Sequence, residues 1–206
     1  MPLPLPVLVA LAAGLGCARP RGMGAPAWTR PEYFDPSTLH VDPAVGGARQ
    51  EWYATTLAAL LEPSFLELAR RPGQSYRFLW LRHWHPPLSV RVSRVGDLAV
   101  AELRVLDRTI DPSHPAGLRT RRRVVVPAAA WTGLLDHLQA AGFWTAPTPD
   151  PQDQPGPEGA RWVFEGIDEG RLHVVDRFSP EDPALVALGL YMVGLAELHI
   201  PQREVY

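Results

Sequence analysis

The chain has 206 residues, 46% of them hydrophobic and 20% charged, which is enough for one well-cored domain and excludes wholesale disorder. Its formal charge of −2 provides no basic surplus for phosphate backbones, so nucleic acid is excluded as an expected partner. All 20 basic residues are arginine, because the sequence contains no lysine. Lysine-based Schiff-base chemistry and a P-loop are therefore excluded as well.

Residues 1–17 have the pattern of an export signal. The apolar run from Val7 to Leu15 is too short for a membrane-spanning helix, which takes about 20 residues, and is typical of a signal-peptide core. Cys17, the single cysteine, follows at the place where bacterial lipoproteins are lipidated, although Gly14 stands where such signals usually carry leucine. The pattern predicts an exported protein anchored by a lipid on Cys17. Secretion with cleavage near Ala18, or a cytosolic protein, are the alternatives.

Residues 18–47 are rich in Pro, Gly and Ala, a composition that predicts a flexible tether. Residues 48–206 then form the predicted single domain. Its first part, Glu51 to Arg71, shows helical spacing of apolar residues. Pro63 divides this segment, so we expect two short helices or one kinked helix.

Four strands are predicted next from period-two alternation and flanking turn residues. Gly96-Asp97 predicts a two-residue type II′ turn that places Arg91 opposite Glu102. The predicted strands are Ser75 to Trp84, Leu88 to Val95, Leu98 to Leu106, and Leu118 to Val126.

The last third of the chain predicts a helix, a loop, a hairpin and a closing helix. The helices are predicted over Pro127 to Ala141 and Ala184 to Leu198, the second being apolar on nearly all sides and therefore buried. Residues 146–159 carry five prolines and almost no apolar residue, which predicts an exposed loop. Arg161 to Gly166 and Arg171 to Phe178 predict the hairpin.

A three-residue loop, Asp168-Glu169-Gly170, fits this last hairpin best. The resulting register places Glu165 opposite His173 and Arg161 opposite Arg177. Trp162 and Phe164 then face the core, while Glu165 and His173 face away from it. Asp176 falls on the opposite face from Glu165.

Several segments resemble a group of uncharacterised bacterial envelope proteins, small predicted lipoproteins of unknown function. The resemblance spans roughly Ser75 to Leu198 and implies a strand-rich fold and an envelope address, but no activity and no catalytic residue. The long Pro-rich loop before Arg161 departs from the pattern of the group. The similar segments are Phe78 to Arg82, His85-Pro86, Val90 to Val92, Gly142 to Trp144, Gly159 to Gly166, and His173 to Pro180.

His83 and His85 are the candidate metal ligands, because residues two apart in a strand face the same way and two imidazoles can bind zinc or copper. A third ligand would have to come from His173, Glu165 or His114. Pro86 argues against the site, since it ends the strand and leaves both histidines at an edge. We therefore expect no metal and no other cofactor.

Glu165 and His173 are the candidate catalytic residues, because a carboxylate opposite an imidazole forms an acid–base pair. The structural alternative, which we favour, is a set of cross-strand ion pairs with Arg161 and Arg177 on a solvated sheet face. The basic run Arg119 to Arg123 fits a solvated or partner-facing strand better than an anionic lipid or glycan site.

The sequence therefore predicts an α+β domain, an antiparallel sheet of about six strands with helices packed on one face. We expect a non-catalytic cell-envelope lipoprotein, in the periplasm or on the cell surface, that binds a protein partner or a wall component. The alternative is a small hydrolase or metalloprotein that uses His83, His85, Glu165 or His173.

Overall fold

A computed structural model describes residues 31–40, 42–109, 116–150, 156 and 158–201. These residues form six antiparallel strands and five helices, so the predicted α+β class and six-stranded sheet are confirmed. The helices are α1 (Pro36–Leu39), α2 (Pro43–Ala59), α3 (Phe65–Leu68), α4 (Ala128–Ala140) and α5 (Pro183–Leu195). The strands are β1 (Gln74–Arg82), β2 (Leu88–Val95), β3 (Leu98–Leu106), β4 (Leu118–Val126), β5 (Ala160–Asp168) and β6 (Arg171–Phe178).

The sheet has the strand order β4-β3-β2-β1-β5-β6, with β4 and β6 at its two edges. The β2–β3 hairpin has the predicted register, in which Val95 pairs with Leu98 and Arg91 with Glu102. Gly96 has a φ of 60°, as the first position of a type II′ turn requires.

The predicted register of the β5–β6 hairpin is wrong by one residue. Asp168 pairs with Arg171, so the loop consists of Glu169 and Gly170 alone. Both residues have positive φ, 46° and 84°, as in a type I′ turn. A glutamate rarely adopts a positive φ. Because Glu169 does so here, the loop is one residue shorter than predicted. Glu165 consequently lies opposite Val174.

One face of the sheet, called face A here, carries most of the apolar core. Alternate residues of β1 and β5 point into it, including Phe78, Trp80, Trp162 and Phe164, all essentially buried. Helices α4 and α5 cover this face and belong to the same hydrophobic cluster, with α5 contributing buried residues such as Leu188. Trp162 and Phe164 are therefore core residues, as predicted.

The opposite face, face B, is also covered by helices, which corrects the expectation of helices on one face only. Leu79 and Leu81 of β1 and Val163 of β5 point to this side. They form a second cluster with residues of α1 and α2, including Leu57. The sheet thus lies between two helical layers.

The predicted tether, residues 18–47, is folded in its described part. Tyr33, Phe34 and Leu39 are buried in the cluster of face B. Helices α1 and α2 begin here because Asp35 and Asp42 cap them, each accepting a backbone N–H, and proline follows at the first helical position. A proline-rich composition therefore marks helix starts rather than a flexible segment.

The predicted exposed loop, residues 146–159, lies against β6 in its first part. The Asp176 N–H donates to the Thr148 carbonyl at 2.9 Å, and Pro149 forms an isolated parallel bridge with Asp176. Residues 151–155 and 157 lie outside the described residues. In the described part of the chain, no helix is both long and apolar enough to span a bilayer.

Candidate functional site

A buried ion-pair network lies between the N-terminal helices and face B. Glu62, which follows α2, accepts hydrogen bonds from Arg91 Nε at 3.0 Å and from Ser89 Oγ at 2.9 Å. Arg104 Nη1 lies 3.0 Å and Arg77 Nη1 3.7 Å from the same carboxylate. One carboxylate after α2 thus joins three arginines from three strands.

Glu165 belongs to this network. The sequence predicted that it lies on a solvated face, but its side chain is buried. It is 1% exposed, and its Oε2 lies 2.6 Å from Arg77 Nε. Arg77 also donates to the Pro63 carbonyl at 2.7 Å and lies over the Phe65 ring. Burial raises the pKa of Glu165, and the Arg77 guanidinium offsets part of that rise. These contacts fasten the segment after α2 to the sheet.

His173 points away from Glu165, because the observed register places the two side chains on opposite faces of the sheet. Its Nε2 lies 3.0 Å from the Ala146 carbonyl, and its ring packs against Phe143 and Trp144. Burial lowers the pKa of the imidazole. The structure therefore does not bring the proposed acid–base pair together.

His83 and His85 are not neighbours on a strand, since β1 ends at Arg82. His83 is exposed, and its backbone N–H donates to the Gly159 carbonyl at 3.0 Å. Among the described residues, no group of three or more His, Cys, Asp or Glu side chains could hold a metal ion. The remaining candidates, His114 and Cys17, lie outside the described residues.

A cleft of about 360 Å³ opens on the side of the domain where His83 lies. We call it the arginine cleft, because three arginines from three different elements line it. Aromatic residues from α2 and β6 line it too. Its lining residues are Val45, Arg49 and Trp52 from α2, Leu81 and Arg82 from β1, His83, Gly156, Glu158, Gly159, Arg161 from β5, and Phe178 from β6.

The arginines at the back of the cleft surround a fully buried carboxylate, Asp176. Arg49 Nη1 and Arg161 Nε each lie 3.4 Å from an oxygen of Asp176. Tyr53 Oη donates a hydrogen bond to it at 2.9 Å. Burial, and then the Asp176 charge, raise the pKa of Tyr53 well above its usual range, so the phenol stays protonated as a donor. The guanidinium groups of Arg49 and Arg161 are thereby held beside a carboxylate that balances part of their charge.

The lining of the cleft combines an exposed aromatic side chain with arginines that are largely buried, Arg82 at 8% and Arg161 at 4% exposure. Trp52 is 46% exposed although it is a large aromatic side chain. Arg82 donates to the Pro86 carbonyl at 3.0 Å and lies over the Trp80 ring, while Arg161 lies over the ring of Phe178. Each guanidinium has five N–H donors in a planar arrangement.

Such an arrangement is chemically suited to a carboxylate ligand. Guanidinium groups match the planar geometry of a carboxylate and can bind it through two parallel hydrogen bonds. An exposed indole beside them supplies contact area for the uncharged part of the ligand. Concave sites with apolar walls and few charged groups are the common form of small-ligand sites.

Sequence reasoning missed this cleft almost entirely. From its lining, His83 and Arg161 were singled out, the first as a metal ligand and the second as an ion-pair residue. Arg49 and Tyr53 are one helical turn apart, which was a detectable signal of a shared face. Asp176 was assigned to the wrong face because of the one-residue register error, so its position beside Arg161 was hidden.

The basic run Arg119 to Arg123 lies on β4, at one edge of the sheet. Arg121 and Arg123 point to face B, opposite Arg104 and Glu102. Arg122 points to face A and donates to the carbonyls of the two residues after α5.

Comparison of the chain with models of known protein families finds no match, and comparison with curated proteins finds none.

Proposed function

We propose that this chain is an exported cell-envelope lipoprotein, anchored by a lipid on Cys17, that binds a carboxylate-bearing component of the cell wall. The proposed binding site is the arginine cleft, and no reaction is catalysed there. The observation that carries this proposal is the placement of two arginines beside face B, Arg49 and Arg161, and two aromatic residues, Trp52 and Phe178, in the lining of one concave site.

A binding role is favoured over hydrolysis because the residues needed for acid–base chemistry are dispersed. The Glu165 carboxylate is held by Arg77 on face B, whereas His173 lies on face A. Wall peptides carry free carboxylates, and wall glycans present apolar sugar faces. The arginines suit the first of these groups, and Trp52 suits the second.

The anchor is tested by replacing the lipidated residue. The variant Cys17→Ser should appear in the soluble fraction, whereas the native protein should stay with membranes after washing in high salt. If Cys17→Ser remains membrane-bound after these washes, the lipid anchor is wrong.

The ligand is tested by isothermal titration of the protein with soluble peptidoglycan fragments. Trp52→Ala should weaken binding about tenfold, because an exposed aromatic side chain in a concave site provides a large share of the contact. Trp84→Ala is the matched control, since Trp84 is 69% exposed and does not line the cleft. It should leave the affinity unchanged.

A chemical control isolates the role of charge. Fragments whose carboxylates are converted to methyl esters should bind much more weakly, because the guanidinium groups then lose their anionic partner. Equal affinity for esterified and native fragments, or equal effects of Trp52→Ala and Trp84→Ala, would exclude the arginine cleft as a carboxylate site.

A further inference from the structure

The two edge strands of the sheet, β4 and β6, differ in whether a further segment of the described chain bonds to their outer side. The β6 edge is covered around Asp176, because Thr148 accepts the Asp176 N–H and the side chain of Arg177 also donates to the Thr148 carbonyl at 2.9 Å. In the described part of the chain, β4 pairs with β3 alone. An uncovered edge presents unpaired backbone groups on which another strand can add.

Apolar side chains are exposed next to this open edge. Val125 of β4 is 65% exposed, and it lies opposite Val100 on face B. Val95 and Leu98, which pair with each other beside the turn of the β2–β3 hairpin, are 79% and 54% exposed on the same face. A strand added along β4 would cover Val125 and extend this face.

The same edge is strongly basic. Arg121 and Arg123 alternate along β4 on face B, and both are exposed. Glu102 is the nearest carboxylate among the described residues, but it already bonds Arg91 and lies 3.8 Å from both Arg104 and Arg121. The charge of Glu102 is thus shared among several cations, and among the described residues the edge keeps a positive surplus.

A second copy of the chain is a poor occupant. Antiparallel pairing of β4 with itself, centred on Arg122, would place Arg121 of one copy opposite Arg123 of the other. Like charges directly opposite each other destabilise a strand pair. An extended segment with carboxylates at alternate positions has the complementary pattern.

We propose that the open edge of β4 binds an extended acidic segment of a partner protein, which adds to the sheet as a seventh strand. Carboxylates at alternate positions of the segment pair with Arg121 and Arg123, and an apolar residue two positions further packs on Val125. This surface is separate from the arginine cleft, so its failure would leave the proposed wall ligand untouched.

The probe is a fluorescently labelled peptide, Thr-Val-Thr-Glu-Thr-Glu-Thr-Val, titrated with the full-length chain carrying Cys17→Ser. Binding should be detectable by anisotropy and should weaken about tenfold when both glutamates of the peptide are replaced by glutamine. The double variant Arg121→Gln/Arg123→Gln should weaken binding about tenfold, because it removes two cross-strand ion pairs.

The matched control is Arg70→Gln/Arg71→Gln, which removes two exposed arginines away from the sheet edge and changes the net charge equally. This control should leave binding unchanged. Methylation of the peptide backbone nitrogens that face β4 should abolish binding, whereas side-chain contact alone would survive it.

Four results would overturn the proposal. The first is equal binding of the glutamine peptide, and the second is an equal effect of the two double variants. The third is a dimer in sedimentation that Arg121→Gln/Arg123→Gln strengthens, which would make a second copy the occupant. The fourth is binding to vesicles of phosphatidylglycerol and phosphatidylcholine in equal parts, without binding to the acidic peptide, which would make the edge a lipid site.

Discussion

Replacing Arg77 by methionine should destabilise the protein by about 3 kcal/mol at pH 7, because loss of one partner from a buried ion pair leaves the other charge uncompensated. Methionine can occupy the space of the aliphatic stem, so little of this loss comes from a cavity. The carboxylate that suffers is Glu165, which lies 2.6 Å from Arg77 Nε. Glu62 retains Arg91 and Arg104, each at 3.0 Å.

The loss should depend on pH in a defined direction. Burial already raises the pKa of Glu165, and removal of Arg77 takes away the group that opposes this rise. A raised pKa in the folded state means that stability falls as the pH rises through the window above about 4.5, the usual value for glutamate. In Arg77→Met the pKa of Glu165 rises further, so this window extends to higher pH. Its difference from the native protein should therefore shrink on acidification, by up to about 1.4 kcal/mol per pH unit.

Urea denaturation of both proteins at pH 7 and pH 5.5 measures these quantities. Arg70→Met is the control, because Arg70 is exposed and should change the free energy of unfolding by less than about 0.5 kcal/mol. A loss below about 1 kcal/mol for Arg77→Met, or an equal loss at both pH values, would refute the reasoning.

Two other predictions concern α5 and β6. Gly189→Ala should lower the free energy of unfolding by about 1–3 kcal/mol in thermal or urea denaturation, because the added Cβ would lie 2.4 Å from the rigid Trp162 ring. Gly194→Ala is the control: its Cβ meets nothing within 4 Å, so the free energy of unfolding should not fall. His173→Gln should flatten the loss of stability below pH 6.5, because a partly buried imidazole with a lowered pKa favours folding only while it is neutral. Equal slopes in His173→Gln and the native protein would contradict the assignment.

The sheet could be predicted from the sequence because its strands alternate clearly and their turns are marked by glycine. The β2–β3 hairpin is the best case, since Gly96-Asp97 fits one turn type and therefore one register. The predicted register of the β5–β6 hairpin was wrong because of Glu169. Two loop lengths were compatible with the sequence there, and tertiary context selected the one that needs a left-handed glutamate.

The covering of face B could not be predicted from composition alone. Residues 31–47 were assigned to a tether because proline and glycine are frequent in them, yet Asp35-Pro36 and Asp42-Pro43 are helix caps. The same pair begins α5 at Asp182-Pro183. An aspartate before proline was thus a local signal that the overall composition concealed.

The buried charges followed from the same oversight. With face B taken as solvated, Glu165 was assigned to weak surface ion pairs. Helices α1 to α3 instead remove that face from water, so its carboxylates and arginines must satisfy one another. The arginine cleft depends on this layer too, because Arg49, Trp52 and Tyr53 are all carried by α2.

The ion-pair network also determines how the domain would respond to mechanical load. In the described residues, the N-terminal helices join the sheet through side chains, such as Arg77 with the Pro63 carbonyl and Tyr53 with Asp176, and not through ladder hydrogen bonds. If the chain is held to a membrane at Cys17, tension reaches this layer first. The helical layer would yield before the β1–β5 ladder, and its departure would dismantle the arginine cleft while the sheet and the β4 edge stayed intact.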